Sequence, residues 1–171
     1  LDLADSRSEA DARANRVFVR VQGILGPEEL VIGVLGGGRD PWSRVRLVPW
    51  GEERTPALDP EPPWPGRLPA PSPSVVPDSP WPAEVLDGSG RPVGITERHR
   101  LTAAPDRVTV GGRSRVVASW AGPWPDLRCW WSGQRPVVRM QVVLVADDEE
   151  GEVAVLLERE ADQWWIRGSY R

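Results

Sequence analysis

Between Pro56 and Pro82 the chain carries eleven prolines. Proline has no backbone N–H and a fixed φ, so it fits neither a helix interior nor a central sheet ladder. The chain must therefore organise itself on either side of this stretch. The stretch reads as an extended, semi-rigid linker with polyproline character. The alternative is a strap lying along a domain through Trp64, Leu68 and Val75-Val76. The regular spacing of those apolar residues favours docking of the half from Trp64 onward on the domain that follows. Three regions result: 1–55, the Pro-rich linker or strap 56–82, and 83–171.

Residues 5–25 are predicted as a helix. Ser6 and Glu9 have capping-box spacing. Ala10, Ala14, Val17, Phe18, Val21, Ile24 and Leu25 recur at helical intervals and form one apolar stripe, which must pack on something. Gly26-Pro27 is a stop signal. Leu30–Leu35 reads as a strand running into Gly36-Gly37-Gly38, and Val45–Val48 as a second strand. One helix and two strands make half of a small α+β layer, a poor core by itself. The remainder is expected upstream, and a start at Leu1 rather than methionine fits a portion of a longer protein.

From Ala83 the pattern changes to strands. Glu84–Leu86 meets the turn Asp87-Gly88-Ser89-Gly90 and Pro92–Ile95 returns. Arg107–Val110 meets Gly111-Gly112 and Ser114–Trp120 returns; both are hairpin signals. Val137–Ala146 is the longest strand, with Val138, Met140, Val142 and Leu144 on one face and Arg139 and Gln141 on the other. Glu152–Glu158 and Gln163–Gly168 follow after polar turns. The predicted class is α+β and mainly β. Residues 83–171 form a small, open antiparallel barrel or a strongly bent sheet, with tryptophans plugging its interior and one edge.

The net charge of −4 argues against a strong nucleic-acid binder, which needs a basic surface. All 21 cationic side chains are arginine. Genome composition accounts for that; the functional reading is phosphate forks or interface anchors. Cys129 is the sole cysteine, so no intrachain disulfide can form, and a reducing setting fits. No run approaches the ~20 apolar residues of a membrane span, and the polar N-terminus is unlike a signal peptide. A soluble cytoplasmic protein is expected, with no membrane partner.

No catalytic constellation emerges. His99 is the only histidine and lies between Arg98 and Arg100, which reads as a surface residue without the partners a base requires. Cys129 beside Trp130 reads as an inert thiol. Asp147-Asp148-Glu149-Glu150 reads as a solvated hairpin tip, since consecutive carboxylates point apart and repel. The loop Gly36–Gly38 lacks the lysine and Ser/Thr of a phosphate cradle. No paired aspartates stand ready to hold two Mg²⁺ ions. The expectation is a non-enzyme with no catalytic, metal or cofactor residues.

Two segments suit docking. Arg46-Leu47-Val48-Pro49-Trp50-Gly51 is a short extended peptide whose Leu47 and Trp50 suit a hydrophobic cleft on a partner. Alternatively Leu47 belongs to a strand and Trp50 caps a local core. The second is Trp120–Trp131, where four of the ten tryptophans gather: Trp120, Trp124, Trp130 and Trp131. They form either core around a Pro-held turn, or an exposed surface for a partner or for stacking unpaired bases.

Several runs together resemble one family. Arg20–Glu28 resembles the last helix of the little-finger region in actinobacterial ImuB-type proteins. Gly37–Pro41, Arg44–Gly51, Trp64–Pro71, Trp120–Pro125 and Trp164–Tyr170 continue the likeness along nearly the whole chain. These proteins are Y-family DNA polymerase homologues without the catalytic carboxylates. The resemblance implies a non-catalytic adaptor in DNA-damage-induced, error-prone translesion synthesis. It would link the sliding clamp, a RecA-like accessory protein and an error-prone C-family polymerase. On this likeness residues 1–55 end a little-finger-like region, 56–82 are linker, and 83–171 are a C-terminal small β domain. The clamp peptide would be Leu47, Val48, Pro49 and Trp50, with Arg46 standing where the family has glutamine. Arg39 and Arg44 would touch DNA backbone. Two rival classes are a β domain stacking single-stranded DNA on its tryptophans, and an enzyme accessory domain with a ligand pocket.

Overall fold

The computed structural model describes residues 3–61, 63–64, 66–68, 70–126, 137–145 and 151–170. Two compact units divide between Arg67 and Leu68, inside the Pro-rich stretch. The chain is mainly β, with one α-helix among the described residues.

The first unit holds helix α1 (Leu3–Leu25) and the antiparallel pair β1 (Val31–Leu35) and β2 (Val45–Pro49). The helix stops at Gly26, whose φ of 111° suits a residue without a side chain. The helical period is as expected, but much of the apolar stripe is not covered: Val17, Ile24 and Leu25 are exposed. Two short strands offer too little surface to cover a helix of 23 residues. The loop after β1 is held by Gly36 N–H donating to Arg44 O (2.7 Å) and Gly37 N–H to Leu58 O (2.8 Å). A Cβ at Gly37 would collide with the Asp59 carbonyl and approach Trp64 Nε1. Trp64, expected on the following domain, thus lies over the space that Gly37 leaves open in the first unit.

The second unit is a closed antiparallel barrel of six strands: β3 (Trp81–Leu86), β4 (Arg107–Val110), β5 (Arg113–Asp126), β6 (Val137–Val145), β7 (Glu152–Glu160) and β8 (Gln163–Tyr170). Each strand pairs with its neighbours in sequence. β3 closes the circle on β8 through Trp81↔Ile166, Pro82↔Trp165 and Ala83↔Trp164. The barrel is closed rather than open, which leaves no sheet edge along the β3–β8 seam. The core is Ala83, Val85, Val108, Met140, Val142, Leu144, Val155, Leu157, Trp164 and Ile166, together with Val93 from the loop after β3. Trp164 Nε1 donates to the Val93 carbonyl (2.8 Å), so the loop is tied to the one indole of this core, and its N–H is satisfied. Ile95, Leu101 and Ala103 pack on the same core and plug that end. Pro92–Ile95 makes only isolated bridges, not the full returning strand expected.

The later part of the Pro-rich stretch is a strap on this barrel. Ser74 and Val75 N–H both donate to Ser169 O, and Ser169 N–H donates back to Val75 O (2.9 Å). A Cβ on Gly168 would come within 2.8 Å of Pro73, so glycine there is what allows the strap to lie close.

Candidate functional site

The register β1–β2 sets Val31, Gly33 and Leu35 opposite Pro49, Leu47 and Val45. Cross-strand partners share a face, and this face is apolar and open. Leu47 is 64% exposed, and Val31, Leu35 and Val45 are exposed with it. Val48, on the other face, is buried. Trp50 follows the strand and turns to α1. Its ring meets Phe18 edge-on with centroids 4.5 Å apart. Its Nε1 donates to Asn15 Oδ1 (3.0 Å), its carbonyl accepts from Gln22 Nε2 (2.9 Å), and the Arg54 guanidinium lies 4.9 Å above the ring. Asn15, Phe18 and Gln22 stand three and four residues apart, on one helical face. Of the four residues in the docking peptide, Leu47 is therefore presented to solvent, Val48 is enclosed, Pro49 is half-buried and Trp50 is half-buried against the helix.

Arg44 is buried, and its Nη2 donates to the backbone O of Arg39 (3.2 Å). It serves the Gly-rich loop in this arrangement and does not reach into solvent. Arg39 is half-buried.

On the barrel, β5 runs 14 residues and carries both described tryptophans of the Trp120–Trp131 cluster. Its register with β6 shifts between Val117 and Ser119 and again between Ala121 and Trp124. Such bulges bend a strand and re-aim its side chains. Trp120 is 42% exposed and Trp124 half-buried opposite Arg139. Trp130, Trp131, Cys129 and the acidic run 147–150 lie outside the described residues.

The outer face of β6–β8 is not the solvated face that its charges suggest. Arg139 and Glu158 are each 2% exposed. Arg139 Nε donates to Glu158 Oε2 (2.8 Å) and its Nη1 to Asp126 Oδ2 (3.1 Å), while Arg167 Nε donates to Glu158 Oε1 (2.7 Å). These four side chains, drawn from four strands, form one charge-assisted network. Sequence reasoning missed it, because strand alternation assigns a charge to the outer face without saying whether that face is covered.

The two barrel ends differ. At the plugged end a cavity of about 410 Å³ is lined by Thr96, Glu97, His99, Arg159 and Asp162. His99 is half-buried there, at φ 56° in the turn closed by His99 N–H donating to Thr96 O. Nearby, Asp87 organises the turn after β3. Its carboxyl lies below the usual range, chiefly because Arg91 N–H donates to it, aided by Ser89 N–H and the Arg91 guanidinium and opposed by burial. The other end opens into a cavity of about 790 Å³ with Arg113 and Arg115 on its wall. Among the described residues, no group of three His, Cys, Asp or Glu side chains is placed to hold a metal ion. Nor is any described helix long and apolar enough to cross a membrane.

Comparison of the chain with family models, with curated proteins and with solved structures returned no match.

Proposed function

We propose that this chain is a non-catalytic adaptor region of a DNA-damage-induced translesion synthesis complex, as its likeness to ImuB-type proteins implies. The observation that carries the docking part is the open apolar face of β1–β2 with Leu47 near its centre. A soluble chain gains nothing by leaving Val31, Leu35, Val45 and Leu47 in water, so such a face reads as one that a partner covers. In this proposal residues 1–55 are the end of a little-finger-like region, and their open face receives the clamp or the rest of that region. The barrel serves the C-family polymerase and the RecA-like accessory protein. The chain acts in the cytoplasm, holds no cofactor and makes no bonds.

Retention by purified sliding clamp tests the reading. Leu47→Asp puts a charge into the face without touching Trp50, and retention should fall by about tenfold or more, the scale of ~1.4 kcal/mol at an apolar anchor. Equal retention of both proteins removes the clamp from this face, and primer extension by the chain removes the adaptor reading altogether.

A second reading rests on Trp120 and Trp81, both exposed on the barrel unit. They are available for stacking unpaired bases. Indole quenching by a single-stranded oligonucleotide, weakening steeply with salt, is its signature.

A further inference from the structure

A β-bulge on β8 turns a hydroxyl into the barrel. Leu157 pairs with Ile166 and Leu156 with Gly168, so Arg167 is the extra residue on β8. The bulge moves the inward phase by one position. Before it, Trp164 and Ile166 belong to the core; after it, Ser169 stands opposite the core residue Val155. Directly paired residues share a face, so Ser169 lies on the inward register. Unbroken alternation from Ile166 would have sent Gly168 inward and Ser169 out. Gly168 instead faces the strap, where a Cβ would meet Pro73. The Ser169 backbone is taken by the strap, since its N–H donates to Val75 O and its carbonyl accepts from Ser74 and Val75. Its side chain is half-buried, and among the described residues the hydroxyl has no hydrogen-bond partner.

Ser169 lines the cavity at the open end of the barrel, which measures about 790 Å³, within the ~300–1,000 Å³ typical of small-molecule sites. Val108, Val155 and Ile166 line it as buried core residues, and Val153 adds a half-buried apolar wall. Val75 of the strap and Trp81 complete the apolar lining, and both are exposed. Charges of both signs line the cavity as well. Arg113 and Arg115 share the inward register of β5, opposite Val110 and Val108, and Glu152 begins β7. Arg113 and Glu152 are exposed to water, and Arg115 is already engaged within the fold. The sequence between Val145 and Glu152 adds Asp147, Asp148, Glu149 and Glu150. These charges select neither sign of ligand. An ionic head entering the chamber would shed its water without finding an unengaged counter-charge. A neutral oxygen needs only one partner, and a serine hydroxyl both donates and accepts.

We infer that the open end of the barrel binds a small neutral amphiphile, an aliphatic or aromatic body carrying one alcohol or carbonyl oxygen. The body occupies the chamber against Val153, Val155 and Ile166, and the oxygen meets the Ser169 hydroxyl. This site is independent of the adaptor reading: it lies in the barrel, whereas the clamp proposal rests on β1–β2.

Calorimetric titration of the full chain with 1-octanol tests it. Octanol is expected to bind one to one. Ethanol has the hydroxyl without the body, while octanoate and octyltrimethylammonium have the body with a charge of either sign; each should bind about tenfold more weakly or worse. Ser169→Ala, which keeps the strap's backbone bonds, should weaken octanol about threefold or more with the thermal midpoint unchanged, the scale of one neutral hydrogen bond. Val153→Trp, which fills the chamber, should abolish binding in a protein whose circular dichroism is that of the wild type. Octanoate or octyltrimethylammonium bound as tightly as octanol overturns the proposal. So does octanol affinity unmoved by Ser169→Ala, or a wild-type chain that leaves octanol unbound. None of these results bears on clamp retention.

Discussion

Neutralising Glu158 should be the most damaging single-charge change in the barrel. Glu158→Gln keeps the volume and one acceptor oxygen but removes the charge that both Arg139 and Arg167 face. The Arg139 side chain is 3% exposed and Arg167 24%. The Arg139 bond is therefore desolvated, while the Arg167 bond shares its donor with water. A hydrogen bond to a charged group contributes about 1.5–3 kcal/mol, and leaving one charge of a buried pair uncompensated costs ~3–5 kcal/mol. Asp126 still accepts from Arg139 at 3.1 Å, which limits the damage. The expected loss is about 3 kcal/mol, toward the lower end of that range. For a unit of this size it lowers the thermal midpoint by roughly 12 °C or more. Urea denaturation followed by indole fluorescence reads the loss directly. The companion, Arg139→Met with Glu158→Leu, also takes the Arg139 bond from Asp126, whose side chain is 8% exposed, and the Glu158 bond from Arg167, so it should recover only part of the stability. A Glu158→Gln loss below about 1 kcal/mol, the worth of a surface pair, would refute the reasoning that this face is desolvated.

Three further outcomes follow from local geometry. Trp50→Ala should destabilise the first unit by about 2–3 kcal/mol through loss of the Phe18 contact and the Asn15 bond, whereas Leu47→Ala should stay within ~0.5 kcal/mol, as amide exchange along α1 would register. Asp87, with its folded pKa depressed, contributes stability fully present above the unfolded carboxylate pKa of about 3.9 and lost as pH falls through the lower folded value. Asp87→Asn should therefore be less stable than wild type at neutral pH, with the gap closing on acidification; a gap independent of pH between neutrality and strong acid would contradict this. Gly168→Ala should push Pro73 off the barrel at a cost of roughly 1–3 kcal/mol and speed proteolysis near Val75, and unaltered cleavage would mean that the strap adapts.

The elements legible in the sequence were those set by local pattern. The period of α1, the Gly111-Gly112 hairpin and the alternation of Val138, Met140, Val142 and Leu144 each need only near neighbours. Closure was not legible, because Trp81↔Ile166 joins residues far apart in the chain and no composition signal marks the partner. The inward placement of Arg113 and Arg115 was hidden for another reason. A period of two has two equivalent phases, and only the pairing with Val108 and Val110 selects one. The docking peptide was visible as a string of residue types, but the turn of Trp50 onto Asn15 and Phe18 depends on the helix face that α1 offers. The ion network at Arg139 was not legible, since sequence shows which face a charge takes and not what lies over it.

Because Val75 and Ser169 exchange backbone hydrogen bonds, the polypeptide enters and leaves the barrel at one spot, about 5 Å across. A unit whose two ends meet in this way is portable. It can be spliced into a surface loop of another protein without spreading the host's backbone, and it can be circularly permuted by stitching Tyr170 to the strap and cutting at Gly111-Gly112.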